Sequence, residues 1–289
     1  MRYRVEHTTT FNYARAVDLA CHMVRLQPRV LPYQQVISST IVPDPQAGRR
    51  SDAVDHFGNR VSWLFLDLPH PRFSVTLHAE VEVAFPAPPD PESTPPWEQV
   101  ATARDGGPLQ WQAAEFTFPS PMVAADRDVA VYVAESFPIG RPILAGLVDL
   151  LDRIRRDFRF QSGVTTIATP VGRVLAQRAG VCQDFSHLMI SGLRSLGLPA
   201  RYVSGYIRTR PPPGKERRRG ADQSHAWVGC WLGPEHGWVD VDPTNNLIVR
   251  DEHVVLGWGR DYGDLSPVRG VILGGGKHTL NVSVDLLAV

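Results

Sequence analysis

Gly180-Val181-Cys182-Gln183-Asp184-Phe185-Ser186-His187-Leu188-Met189 is the stretch whose reading decides the fold. Phe185, Leu188, Met189, Leu193 and Leu196 recur at helical spacing, and Gly197 is a natural stop. The pattern predicts a helix with Cys182 in its first turn, close behind Gly180. First-turn N–H groups have no intrahelical acceptor, and the helix dipole favours negative charge beside them. Both effects favour the thiolate, the nucleophilic form of cysteine. The same N–H groups suit the oxyanion of a tetrahedral intermediate. Most free cysteines are nevertheless small buried hydrophobes, so position alone makes Cys182 only a candidate.

Downstream, Asp222-Gln223-Ser224-His225-Ala226-Trp227-Val228-Gly229-Cys230-Trp231-Leu232 reads as a buried strand. Trp238-Val239-Asp240-Val241-Asp242 reads as a second, stopped by Pro243. Joined by a Gly- and Pro-containing turn, they predict an antiparallel hairpin. His225 and an acidic residue can then lie side by side. A carboxylate there would hold the imidazole tautomer, as the third member of a triad does. Period two puts Asp240 and Asp242 on one face, so alternation leaves both open. Cysteine, histidine and carboxylate together fill the roles of nucleophile, base and orienter.

Upstream the pattern changes. Residues 73, 75, 77, 79, 81 and 83 are apolar in strict alternation. Gly58-Asn59 between two short apolar runs predicts a tight hairpin. Short strands with turn punctuation suggest a β-sandwich-like unit over residues 1–90. Residues 86–96, Pro-Ala-Pro-Pro-Asp-Pro-Glu-Ser-Thr-Pro-Pro, exclude a helix or central strand and mark a stiff linker. From residue 97 the pattern is helical. Ser120-Pro121 reads as a helix start, as does Thr169-Pro170. Ile143, Leu144, Leu147, Leu150, Leu151, Ile154 and Phe158 form one helical stripe.

Four ordered blocks resemble the transglutaminase-like core. They are Gly-Val-Cys-Gln-Asp-Phe-Ser-His, Leu198-Pro199-Ala200-Arg201-Tyr202-Val203-Ser204-Gly205-Tyr206, Ser-His-Ala-Trp, and Gly-Trp-Val-Asp-Val-Asp-Pro-Thr-Asn-Asn. The β-rich start resembles the N-terminal domain of bacterial members. The resemblance implies an α+β fold: a β-sandwich-like domain over 1–90, then a papain-like catalytic domain over 97–289 with its motifs at 160–246. It implies Cys182 as nucleophile, His225 as base and Asp242, not Asp240, as orienter. The implied chemistry is acyl transfer or hydrolysis at an amide of a peptide or protein, through a thioester. The alternative is a binding or scaffold protein with an idle triad. Animal transglutaminases carry Trp after the nucleophile where this chain has Gln183, so the resemblance does not extend to their crosslinking specificity.

The remaining readings narrow the function. The 289 residues hold 30 Lys+Arg and 30 Asp+Glu, a balance that argues against nucleic acid or anionic membrane as partner. No apolar run approaches the ~18 residues of a membrane span. Cys21, Cys182 and Cys230 make a poor disulfide framework and fit a reducing cytoplasm. No metal, nucleotide or other cofactor motif is present. Trp227, Tyr206 and Gln183 are candidates for the substrate cleft. His187, about 140° round the helix from Cys182, is expected to pack or hydrogen-bond. Lys215, Arg217, Arg218 and Arg219 concentrate charge in a loop over 210–222, which is expected to be solvated or to rim the cleft and favour acidic substrates.

Overall fold

The computed structural model describes residues 1–103, 107–209 and 224–289. Its first five strands are β1 (Arg2–Val24), β2 (Gln34–Asp44), β3 (Arg49–Val54), β4 (Arg60–Leu66) and β5 (His70–Val83). They form an antiparallel sheet in the order β2-β5-β1-β4-β3. The alternating residues of β5, from Phe73 to Val83, are all buried. The β3–β4 turn is closed by Asp55, whose Oδ1 accepts from Phe57 N at 3.0 Å and Asn59 N at 2.9 Å. Gly58 supplies its positive φ of 79°. The register of β1 breaks between Asn12 and Val17. Beyond the break His22 stacks on Phe73 with ring centroids 4.0 Å apart. One curled sheet thereby supplies both layers of the sandwich-like unit.

The proline-rich stretch carries only a 3-10 turn at Pro91–Ser93. After it come α1 (Trp97–Thr102), α2 (Gly107–Ala114), α3 (Arg127–Ala134), α4 (Ile143–Asp157), β6 (Arg159–Phe160), α5 (Val171–Gln177), β7 (Ala179–Gly180) and α6 (Cys182–Ser195). The helical stripe predicted for α4 is buried from Ile143 to Ile154. Pro170 does precede α5, which ends on Arg178 in the left-handed conformation, φ 52°. Ser120, by contrast, starts no helix. It closes a turn with Val123 through two backbone bonds of 3.0 Å. The helix begins at Arg127, where Asp126 accepts from Asp128 N and Val129 N at 3.0 Å each. Aspartate is as good an N-cap as serine, and here it lies where the turn has ended.

The second sheet comprises β8 (Ala200–Ile207), β9 (Ser224–Trp231), β10 (Trp238–Asp242), β11 (Leu247–Ile248) and β12 (His253–Gly259). Its order is β11-β10-β9-β8-β12, antiparallel throughout. Phe185, Leu188, Met189 and Leu193 of α6 join Tyr202, Ala226, Val228 and Val241 in one core. On the other face Val203, Trp227 and Val255 pack with Leu31 and Phe85 of the N-terminal unit. After α7 (Tyr262–Leu265), β13 (Val268–Gly274) and β14 (His278–Ala288) leave this sheet and pair with β1. Residues 268–288, placed with the second unit on sequence grounds, thus belong to the first sheet. They cover the edge that β1 would otherwise expose. Among the described residues no helix is long and apolar enough to cross a membrane. The basic stretch 210–222 lies outside the described residues.

Candidate active site

Helix α6 starts at Cys182 because of its neighbours. Val181 at the N-cap has no acceptor side chain, so Asp184 in the first turn reaches back instead. Its Oδ2 accepts from Val181 N at 2.8 Å and Thr165 Oγ1 at 2.7 Å. Burial raises the pKa of Asp184, and these two bonds oppose that rise. Gly180 lies against the same carboxylate, where a Cβ would come within 2.8 Å of Oδ2. The Gly-Val-Cys-Gln-Asp spacing is therefore a cap that leaves Cys182 half-buried at the helix mouth.

His225 is the second residue of β9 and Asp242 ends β10, next to the Val241–Val228 pair. His225 Nε2 lies 2.7 Å from Asp242 Oδ2. The carboxylate can only accept, so Nε2 carries the proton and the other ring nitrogen is left free of Asp242. Burial works against the imidazolium, but Asp242 and Cys182 outweigh it and push the His225 pKa up to about 10. Burial also penalises the Asp242 carboxylate. His225 and His253 more than compensate, holding it well below the usual carboxylate range. Its Oδ1 accepts from Thr244 N at 2.9 Å and Asn245 N at 3.2 Å. Asn245 Nδ2 donates to Oδ2 at 2.7 Å. The Asp-Pro-Thr-Asn turn thus saturates the buried carboxylate with donors.

Asp240 faces the same way but serves a different set. Its Oδ2 accepts from Trp227 Nε1 at 3.0 Å, and its Oδ1 lies 3.6 Å from Arg201 Nη2. It is a buried polar group without a bond to His225.

The cleft candidates divide. Gln183 stands at the helix mouth, with Nε2 3.4 Å from Ile167 O. Trp227 and Tyr206 are fully buried and line no open cleft. The Trp227 ring lies beneath His225 and edge-on to His253, at centroid distances of 6.1 and 5.1 Å. Tyr206 OH bonds His7 Nδ1 at 2.8 Å, joining the two units. Strand alternation assigns a face but not what covers it: Leu31 and Phe85 of the N-terminal unit cover Trp227, and His7 meets Tyr206. His187 accepts from Tyr262 N at 3.2 Å, and burial pushes its pKa down to about 4. That is the packing and hydrogen-bonding part expected of it.

His253 escaped the sequence reading. Its Nε2 lies 3.2 Å from Asp242 Oδ2, so two imidazoles share one oxygen. Nothing near residue 253 in sequence signals this, whereas Asn245 stood inside the fourth motif. Among the described residues, His225, Asp242 and His253 also form a group that could hold a metal, their ligand atoms lying within 4.8 Å. A cation there would compete for the Asp242 oxygen that orients His225, so it would act as an inhibitor of that contact.

Cys230 is fully buried, and burial pushes its thiol up. Iodoacetamide at neutral pH is therefore expected to label Cys182 first, with mapping by peptide mass spectrometry. Earlier labelling of Cys21 or Cys230 would remove Cys182 as the nucleophile.

A helix-mouth cysteine, a strand histidine and a buried aspartate on such a scaffold define a cysteine-based catalytic fold. Residues 3–82 match the bacterial transglutaminase-like N-terminal region, and residues 139–243 match the transglutaminase-like superfamily. An uncharacterised protein of Mycobacterium tuberculosis is 40% identical, covering 99% of this chain and 92% of its own length. One from Mycobacterium leprae is 31% identical, covering 99% and 98%. A protein-glutamine gamma-glutamyltransferase of Pseudomonas aeruginosa is 41% identical over 68 residues, 23% of this chain and 10% of that protein. A crystal structure described as a candidate cysteine protease from Cytophaga hutchinsonii superposes with a TM-score of 0.75 at 20% identity, over 100% of this chain and 91% of that one. The chain belongs to the bacterial transglutaminase-like proteins.

Proposed function

We propose that this protein cleaves or transfers acyl groups at amide bonds of peptides or proteins through a thioester on Cys182. The Cys182 thiolate attacks the carbonyl carbon, and the oxyanion meets the first-turn N–H groups of α6. The His225 imidazolium protonates the leaving amine while Asp242 holds its tautomer. Water or a second amine then attacks the thioester, with neutral His225 accepting its proton. The observation that carries this reading is the 2.7 Å His225–Asp242 contact, with Cys182 near enough to help raise the pKa of the same imidazole. The three free cysteines suit a reducing compartment, which favours a cytoplasmic setting.

The test is mass spectrometry of a trapped acyl-enzyme from a peptide library, with and without added amines. A library peptide is expected on Cys182, and its fate with amine present identifies the acceptor. No adduct on Cys182 from any donor would leave the idle-triad alternative. The pH profile has a definite sign. Because His225 is raised to about 10, the imidazolium persists through neutral pH. kcat/KM for amide donors should stay level from neutral pH to about 9 and fall as pH rises through about 10. A fall centred near 6.5, the ordinary histidine value, would contradict the ion pair.

A further inference from the structure

A second cavity lies at the far end of the β9–β10 hairpin. It is a half-open hollow of about 720 Å³ between the N-terminal sheet, α2 and the core sheet. That is within the usual range of small-molecule sites, roughly 300–1,000 Å³. β9 runs from His225 to Trp231, about 20 Å at roughly 3.3 Å per residue, so the cavity is separate from Cys182. Tyr33, Phe57, Phe116, Trp231, Trp238 and Trp258 supply its flat apolar walls.

Two guanidiniums share this wall. Arg29 Cζ lies 3.6 Å and Arg201 Cζ 3.8 Å from the Trp258 ring centroid. Two groups of that size so close to one ring must occupy its opposite faces. Arg201 is only 4% exposed, yet its Nε has no hydrogen-bond partner. Its ion pair with Asp240 is loose, at 3.6 Å, and Asp240 is shared with Trp227 Nε1. Arg29 uses Nη1 on Phe57 O at 2.8 Å and Asn59 Oδ1 at 2.9 Å. Asp55 is paired with Arg25 at 3.2 Å, and Glu115, which also lines the cavity, is held by His56 at 2.8 Å on its rim. Arg201 is buried and Arg29 partly so; cations withdrawn from water with incomplete partners are costly, and an anion beside them relieves that cost. Planar carboxylates match the guanidinium fork, and aromatic rings match the remaining wall.

We propose that this cavity binds a small aromatic carboxylate, its anionic end on Arg29, with Arg201 adding charge from across the Trp258 ring, and its ring among Trp231, Trp238 and Phe116. The probes are 2-naphthoate and indole-3-carboxylate, each compared with its neutral carboxamide by titration calorimetry on the full chain. At least one acid is expected to saturate a single site below about 1 mM. Its carboxamide should bind at least tenfold more weakly. Arg29→Gln should weaken the acid tenfold or more and leave the carboxamide unchanged. Alkylation of Cys182 should leave acid binding unchanged, which separates this site from the catalytic reading. Equal binding of acid and carboxamide, or no saturation by either acid, would overturn the proposal and leave a water-filled gap between two sheets. Should Arg29→Gln fail to fold, the acid–carboxamide comparison on the parent protein still decides.

Discussion

Asp242→Asn is expected to lower kcat/KM for amide donors about a thousandfold to ten-thousandfold, the scale seen when a triad carboxylate loses its charge. The buried Asp242 carboxylate accepts from Thr244 N, Asn245 N and Asn245 Nδ2 while holding His225 Nε2. An amide in its place has one oxygen and two donor hydrogens. It cannot accept from these four partners and His253 Nε2 as well, and a hydrogen turned toward His225 Nε2 would move the imidazole proton to the other ring nitrogen. His225→Ala should cost a similar factor. The double variant should be little worse than either alone, because the members act as a unit. Asp240→Asn should behave in the opposite way. It leaves Arg201 buried without a counter-charge, a loss on the order of 3–5 kcal/mol in stability, while the His225–Asp242 contact stays in place. Kinetics paired with denaturant unfolding separates the two. An Asp240→Asn protein with parental stability and the larger rate loss would show that the wrong carboxylate had been assigned.

That contrast also marks where the sequence stopped being informative. The helix mouth at Cys182 was legible because its causes are local: a glycine, a first-turn aspartate and an apolar stripe. The hairpin holding His225 was legible for the same reason. Choosing Asp242 over Asp240 needed the family resemblance, since both share a strand face and differ only in what the fold brings to them. Alternation put Trp227 on the His225 face, but Leu31 and Phe85 of the first unit roof it there, while Tyr206, on the other face, is held by His7. His253 reaches Asp242 only because β12 joins the sheet beside β8, out of chain order. The return of β13 and β14 to β1 is equally non-local, and a proline-rich linker gives no sign of it.

Gly205→Ala is expected to prevent native folding, and it ties the sheet to the site more directly than any catalytic variant. Gly205 lies opposite His225 on β9 and opposite Val255 on β12. Its φ is unremarkable for any residue; the constraint is space. An added Cβ would overlap the Val254 carbonyl oxygen and come within 2.5 Å of the Trp227 ring. Neither neighbour can yield. Val254 is main chain within the β8–β12 ladder. Trp227 is fixed by its 3.0 Å bond to Asp240 and its edge contact with His253. Ordinary overpacking costs about 1–3 kcal/mol because side chains shift. Here the ladder itself must part, so the cost should exceed about 4 kcal/mol, against a total stability usually of about 5–15 kcal/mol. Gly48→Ala is the control. Its Cβ would meet the Asp67 carboxylate at 2.8 Å, the end of an exposed side chain that can swing away. That change should stay within about 0.5 kcal/mol. Thermal melting of both variants, with yield of folded protein, is the measurement. A Gly205→Ala protein that melts like its parent would mean that β12 does not lie against β8, and His253 would then lose its route to Asp242.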